Sequence, residues 1–221
     1  MPIRHHLSDE LLMAYAAGTL PEAFDLVIAT HVSLCDECRA RLGALEAVGG
    51  AVLERAPEPA LAADSLQATL RRIRDGAAAR DAGKDPIVPP ARDARGVFPA
   101  PLRDYVGGDL DAVRWRSVGG GVKQAILPTA RGATVRLLSI PGGARMPDHG
   151  HRGLELTQVL QGAFRDEGDR FGPGDIEIAT EDTQHTPIAE DGLDCICLAA
   201  TDAPLKFATV LPRLAQPFFR I

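Results

Sequence analysis

Two groups of residues in this chain have the types and spacing to hold a metal, and they point to two different kinds of site. The first is the run HVSLCDEC, which places His31, Cys35 and Cys38 in the order H-x3-C-x2-C. Residues three and four apart on a helix share a face, so an imidazole and two thiolates can converge there. Soft thiolates with an imidazole suit tetrahedral zinc, and a closed structural site needs a fourth ligand. His5 and His6, just ahead of the first helical signal, are the N-terminal candidates, and spacing does not separate them. A buried histidine beside two apolar thiols is the plainer alternative. A C-x2-C redox dithiol is another, but no βαβ pattern accompanies it.

The second group begins at Gly143 and reads G-x5-H-x-H-x3-E-x6-G, with His149, His151, Glu155 and Gly162 in place. On a strand the side-chain period is two, so His149 and His151 point to one face. The whole run resembles the first cupin motif, in which the glutamate returns from the next strand and joins the metal. Gly174 precedes His185 by eleven residues, as in the second motif of that family. Thr180, Asp182 and Ala189 stand where that motif has Pro, Gly and Asn. The resemblance therefore implies His149, His151, Glu155 and His185 as ligands, with the turn before His185 altered. Three imidazoles and a carboxylate accept zinc, iron, manganese or nickel. Zinc, or another divalent metal, is expected.

These residues need elements to position them, and composition divides the chain. Residues 1–80 are rich in Ala and Leu with helical periodicity, and four helices are expected. Ser8 caps the first, Gly18 ends it, and Pro21 suits the start of the second, where Phe24, Val27, Ile28 and His31 share a side. A third runs from about Cys38, with Gly49-Gly50 as a bend or early stop. A fourth, from Asp64-Ser65, carries Leu66, Leu70 and Ile73 as a stripe that either packs back on the others or meets a partner. Residues 81–101 hold five prolines and no apolar period, so they read as a tether. Beyond it, Val135–Ile140, Glu155–Gly162, Asp175–Thr180 and Asp194–Ala200 read as strands of a small all-β domain. The fold class is α+β in two domains: an all-α domain over 1–85, a linker over 86–101 and a jelly-roll cupin over 102–221.

The segment IRHHLSDELLMAYAAGTLPEAFDLVIATHVSLCDECRARLGALEAVGG resembles the N-terminus of ChrR-type zinc anti-sigma factors. The second half is similar to the cupin-like domain fused to them, including Trp115, Gly121-Val122-Lys123 and Pro141-Gly142-Gly143. The resemblance implies that His6, not His5, completes a zinc site with His31, Cys35 and Cys38. It also implies sequestration of an extracytoplasmic-function sigma factor, one to one, with release through the cupin in response to singlet oxygen or related oxidative stress. Cys195 and Cys197, on one face of a strand, are either two small core residues or oxidant-sensitive thiols.

Several classes are disfavoured. The formal net charge of −6 speaks against direct nucleic-acid binding. No run reaches the roughly 18 apolar residues of a membrane span, and the N-terminus lacks a signal-peptide pattern, so a cytoplasmic location is expected. No catalytic nucleophile, base or oxyanion donor stands out. The alternative is a metal-dependent, dioxygenase-like cupin enzyme with a helical regulatory extension.

Overall fold

The computed structural model describes residues 2–58, 60–81 and 96–207, with residues 77–81 as backbone only. Its α+β order is the expected one. Helix α1 (Asp9–Ala16) starts where the Ser8 hydroxyl accepts from the Leu11 N–H at 3.3 Å, and it ends at Gly18, whose φ of +64° few other residues tolerate. Helix α2 (Glu22–Leu34) follows Pro21, and α3 (Asp36–Glu54) begins after Cys35 and runs through Gly49-Gly50 without stopping. Helix α4 spans Ser65–Asp81, and its Leu66, Leu70 and Ile73 are exposed.

A six-stranded antiparallel sheet has the order β1 (Arg116–Gly119), β2 (Val122–Leu127), β3 (Thr134–Ile140), β11 (Cys195–Thr201), β5 (Glu155–Gln161) and β8 (Ile176–Ala179). Two small sheets accompany it. One is β10 (Ile188–Ala189), β6 (Phe164–Arg165) and β7 (Arg170–Phe171). The other is β12 (Lys206–Phe207), β4 (His149–Gly150) and β9 (Gln184–His185). Because strand side chains alternate, the large sheet has two working faces. Arg136, Leu138, Ile140, Thr157 and Cys197 line a cavity of about 430 Å³. Val135, Leu137, Leu156 and Leu198 face the other way and share a core with Phe24, Val27, Ile28 and Leu42.

That shared core departs from the division read in the sequence. The described residues of 2–49 and 96–207 form one compact unit, and those of 50–81 belong to a second. The physical reason lies in α2, which buries Ala23, Phe24, Leu26, Val27, Ile28, Thr30 and His31, more than one face of a helix. A helix apolar nearly all round must be covered on several sides. α2 therefore packs on α1, on the sheet strands β3, β5 and β11, and on α5 (Ala100–Val106).

Of the expected tether, residues 86–95 lie outside the described residues, but 96–101 are ordered parts of the first unit. The Val97 and Phe98 N–H groups each donate to the Asp109 carboxylate at 3.2 Å, and Phe98 is buried. Pro99 and Pro101 flank the start of α5, where a missing N–H costs nothing. These prolines open a helix; they do not keep the chain extended.

Candidate metal centres

The first centre is built at a corner and not along one helix. His31 sits in the last turn of α2, Cys35 lies between α2 and α3, and Cys38 is in the first turn of α3. The Cys35 sulfur accepts from the Cys38 N–H at 3.4 Å, so it caps α3 as a serine oxygen would. His6 reaches the corner from the N-terminal segment, which Arg41 of α3 fixes by donating to the Leu7 carbonyl at 2.9 Å.

One donor atom from each of His6, His31, Cys35 and Cys38 falls within 4.8 Å of all the others. The His6 Nδ1 lies 3.2 Å from the Cys35 sulfur and 3.7 Å from the Cys38 sulfur. Zinc bonds of ~2.3 Å to sulfur and ~2.05 Å to nitrogen, in a tetrahedron, would set such atoms about 3.5 Å apart. The His6 Nε2 faces Glu37 at 3.4 Å, the outer-carboxylate arrangement that orients a ligating imidazole.

His31 gives the sharpest sign that a cation belongs here. It is fully buried, and neither ring nitrogen meets a partner with hydrogen-bond geometry. Burial, aided by nearby His6 and partly offset by the Gly174 carbonyl, pulls it down to about 4. Burial likewise pushes the Cys38 thiol up to about 11. Protein alone thus leaves a neutral imidazole unpaired and keeps a thiol protonated. A divalent cation satisfies the first and deprotonates the second. Of the two N-terminal histidines only His6 joins the cluster; His5 turns to Asp169 at 2.9 Å.

The second centre faces the cavity. His149 on β4 and His185 on β9 are cross-strand partners, with their Nε2 atoms 3.1 Å apart. The His151 Nε2 lies 3.3 Å from that of His185. Tetrahedral zinc with bonds of ~2.05 Å would place two nitrogens about 3.3 Å apart. Outer contacts aim two of the rings: the His149 Nδ1 donates to the Pro147 carbonyl at 2.8 Å, and the His185 Nδ1 to Glu177 at 2.8 Å. Each leaves an Nε2 lone pair for the centre.

Glu155 stands beside this triad but is not drawn into it. Its Oε2 is 3.8 Å from the His151 Nδ1, and its Oε1 accepts from the Thr157 hydroxyl at 3.1 Å. Burial, and then the like charge of Glu177, push it up to about 7. Burial and neighbouring histidines hold His149 and His151 at about 4. Burial pulls His185 the same way, but the Glu177 hydrogen bond and charge, with Asp166, outweigh it and carry it up to about 9. Glu177 and Asp166 are site residues that the sequence reading missed. The signal was Glu177 in IEIA, a charge between two core isoleucines on a strand beside a ligand strand.

Cys195 and Cys197 lie on one strand face, both buried, with sulfurs 3.6 Å apart. Cys197 lines the cavity. Its contact with Cys195, and then burial, raise its pKa well above the usual thiol range.

The family model described as the ChrR cupin-like domain matches residues 104–203. The anti-sigma-E factor ChrR of Cereibacter sphaeroides is 64% identical over 221 residues, covering 100% of both chains. The crystal structure of Rhodobacter sphaeroides SigE in complex with the anti-sigma ChrR matches with a TM-score of 0.77 and 62% identity, covering 90% of this chain and 99% of that one. A relative this similar along the entire length carries the whole architecture, helical corner and cupin together, and the protein belongs to the ChrR family of anti-sigma factors.

Proposed function

We propose that this chain is a cytoplasmic anti-sigma factor that sequesters one extracytoplasmic-function sigma factor and so blocks transcription initiation. The observation that carries the reading is the full-length identity to an anti-sigma-E factor, together with a relative solved in complex with its sigma factor. The metal of the helical corner is zinc, held by His6, His31, Cys35 and Cys38, and it fixes the angle between α2 and α3. The exposed Leu66, Leu70 and Ile73 of α4 form part of the contact with the sigma factor, since an apolar stripe left in water is accounted for by a partner.

In this reading the cupin centre is the sensor and the helical centre with α4 the inhibitor, although the sheet shares one compact unit with α1 and α2. The cupin centre holds zinc or another divalent metal through His149, His151 and His185, and Glu155, which stands outside the triad here, moves in as the fourth ligand once the metal is bound. Cys195 and Cys197 are its oxidant-sensitive thiols, and singlet oxygen or related oxidative stress releases the sigma factor. The whole-chain relative is an anti-sigma factor, which favours a regulator over the metal-dependent enzyme reading. The test is to purify the full chain, measure its metals, and mix it with the extracytoplasmic-function sigma factors of its own cell. A one-to-one complex that inhibits polymerase is expected. Oxygen consumption by the chain without any sigma complex would overturn the proposal.

A further inference from the structure

One short acidic turn runs from His185 of the cupin centre to His5, beside the helical centre. Asp166 follows β6, and its Oδ2 lies 3.3 Å from the His185 Nδ1 of the cupin centre. Its other oxygen accepts from both the Gly168 and Asp169 N–H groups at 2.8 Å, which closes the turn on itself. The Glu167 carboxylate also accepts from the Thr186 N–H, beside His185, at 3.0 Å. At the far end of the turn, Asp169 meets the His5 ring at 2.9 Å. His5 is the chain neighbour of His6, a donor of the helical centre.

A second clamp holds the same N-terminal segment. Asp175, only 5% exposed, uses one oxygen to accept from the Arg4 N–H at 2.6 Å and the His5 N–H at 3.1 Å. The His5 ring packs on Phe171 with centroids 4.4 Å apart. Ile3 lies so close to Gly174 that a Cβ there would come within 2.7 Å of it. Such contacts could be no more than local loop structure. Against that, the carboxylates at 169 and 175 reach more than 160 residues back along the chain to grip the segment next to His6.

We propose that the turn Asp166–Asp169, with Asp175, is the latch that couples the two centres: a change at His185 displaces the turn and reaches His6 through His5. This rests on the anti-sigma reading for its purpose, though not for its geometry. Uncoupling the latch should leave sequestration intact and remove the response.

The test uses the full chain and amide hydrogen exchange. Among the described residues Asp166 makes no hydrogen bond or ion pair with the N-terminal segment or the helical centre. Asp166→Ala should nevertheless speed exchange at Arg4 and His5 by about tenfold, the scale of one lost charge-assisted hydrogen bond. Leu12 in α1 and Leu198 in β11 should keep the parental rate, which shows that the fold survives. Unchanged exchange at Arg4 and His5 overturns the proposal. If Asp166→Ala loosens the whole fold, the isosteric Asp166→Asn, which keeps an acceptor for the turn and removes the charge beside His185, decides by the same criterion. With the sigma factor present, Asp169→Ala should bind like the parent but release on singlet-oxygen exposure about tenfold more slowly. Parental release kinetics would refute the coupling. A parent chain that binds no sigma factor would sink the anti-sigma reading and leave the exchange result to judge the latch.

Discussion

Gln158 offers a quantitative check on how the helices meet the sheet. It lies on β5 between Leu156 and Leu160, on the face shared with the α2 core, and its cross-strand neighbours are Leu198 and Ile176. It is fully buried, yet neither its Oε1 nor its Nε2 has a hydrogen-bond partner. Leaving a buried amide unpaired costs about 1–3 kcal/mol. Gln158→Met keeps the length and flexibility of the side chain and removes both polar atoms. Imperfect fit takes back part of the gain, so the net stabilisation should be about 1–2 kcal/mol. For a unit of this size that raises the melting temperature by roughly 2–8 °C, at about 2–4 °C per kcal/mol. Urea unfolding followed by circular dichroism should show a higher midpoint at unchanged slope, since the exposed surface on unfolding is the same. A loss of more than about 1 kcal/mol would show that the amide is satisfied, and the packing of α2 on this face would need revision.

Three further outcomes follow from the geometry. Cys38→Ser replaces a thiolate at the α2–α3 corner, so metal analysis should show loss of the helical zinc with retention of the cupin metal, and binding of the sigma factor should fall because metal and folding are coupled here. Asp175 pays for burial but receives N–H donors from Arg4, Gly172 and His5, and the net pulls its carboxyl below the ordinary range. A depressed carboxylate contributes stability that is present above its unfolded pKa of about 4 and is lost as pH falls through the folded value. Acid titration should therefore loosen the N-terminal segment, and Asp175→Asn should flatten that limb of the curve. Leu70→Asp puts a carboxylate into the proposed sigma contact and should cost at least about 2–3 kcal/mol of binding in a calorimetric titration, with far less effect on the protein's own melting.

Much of this was legible in the residues. The motif around His149 and the spacing of His31, Cys35 and Cys38 named most of the donors that the fold brings together, because ligand chemistry leaves strict spacing. The strands expected at Val135–Ile140 and Asp194–Ala200 are β3 and β11, each displaced by one residue at most, because their length and apolar runs are plain in the sequence. The strands β4, β6, β7, β9, β10 and β12 are two residues each, too short for any period to show. The break between the second and third helices was read to within two residues, α3 starting at Asp36 where about Cys38 was expected, but H-x3-C-x2-C alone fits one continuous helix as well as a corner. The larger miss was α2 itself. Reading Phe24, Val27 and Ile28 as one face overlooked Ala23, Leu26 and Thr30, which are buried as well and reveal a helix covered on several sides. Asp166, Asp169 and Asp175 carried no signal in the sequence, because the N-terminal partners of Asp169 and Asp175 lie more than 160 residues away.

Sequestration by a metal-built helical corner under control of the cupin is tested by assembling the complex and then exposing it to oxidant. Full chain and sigma factor are mixed at known concentration, the complex is quantified by analytical ultracentrifugation with its zinc content, and singlet oxygen is then generated in the same cell. The account predicts a one-to-one complex carrying the helical zinc, which dissociates on exposure. The same complex with His185→Ala should form normally and stay intact. A parent chain that forms no complex, or a His185→Ala complex that releases as fast as the parent, would contradict it.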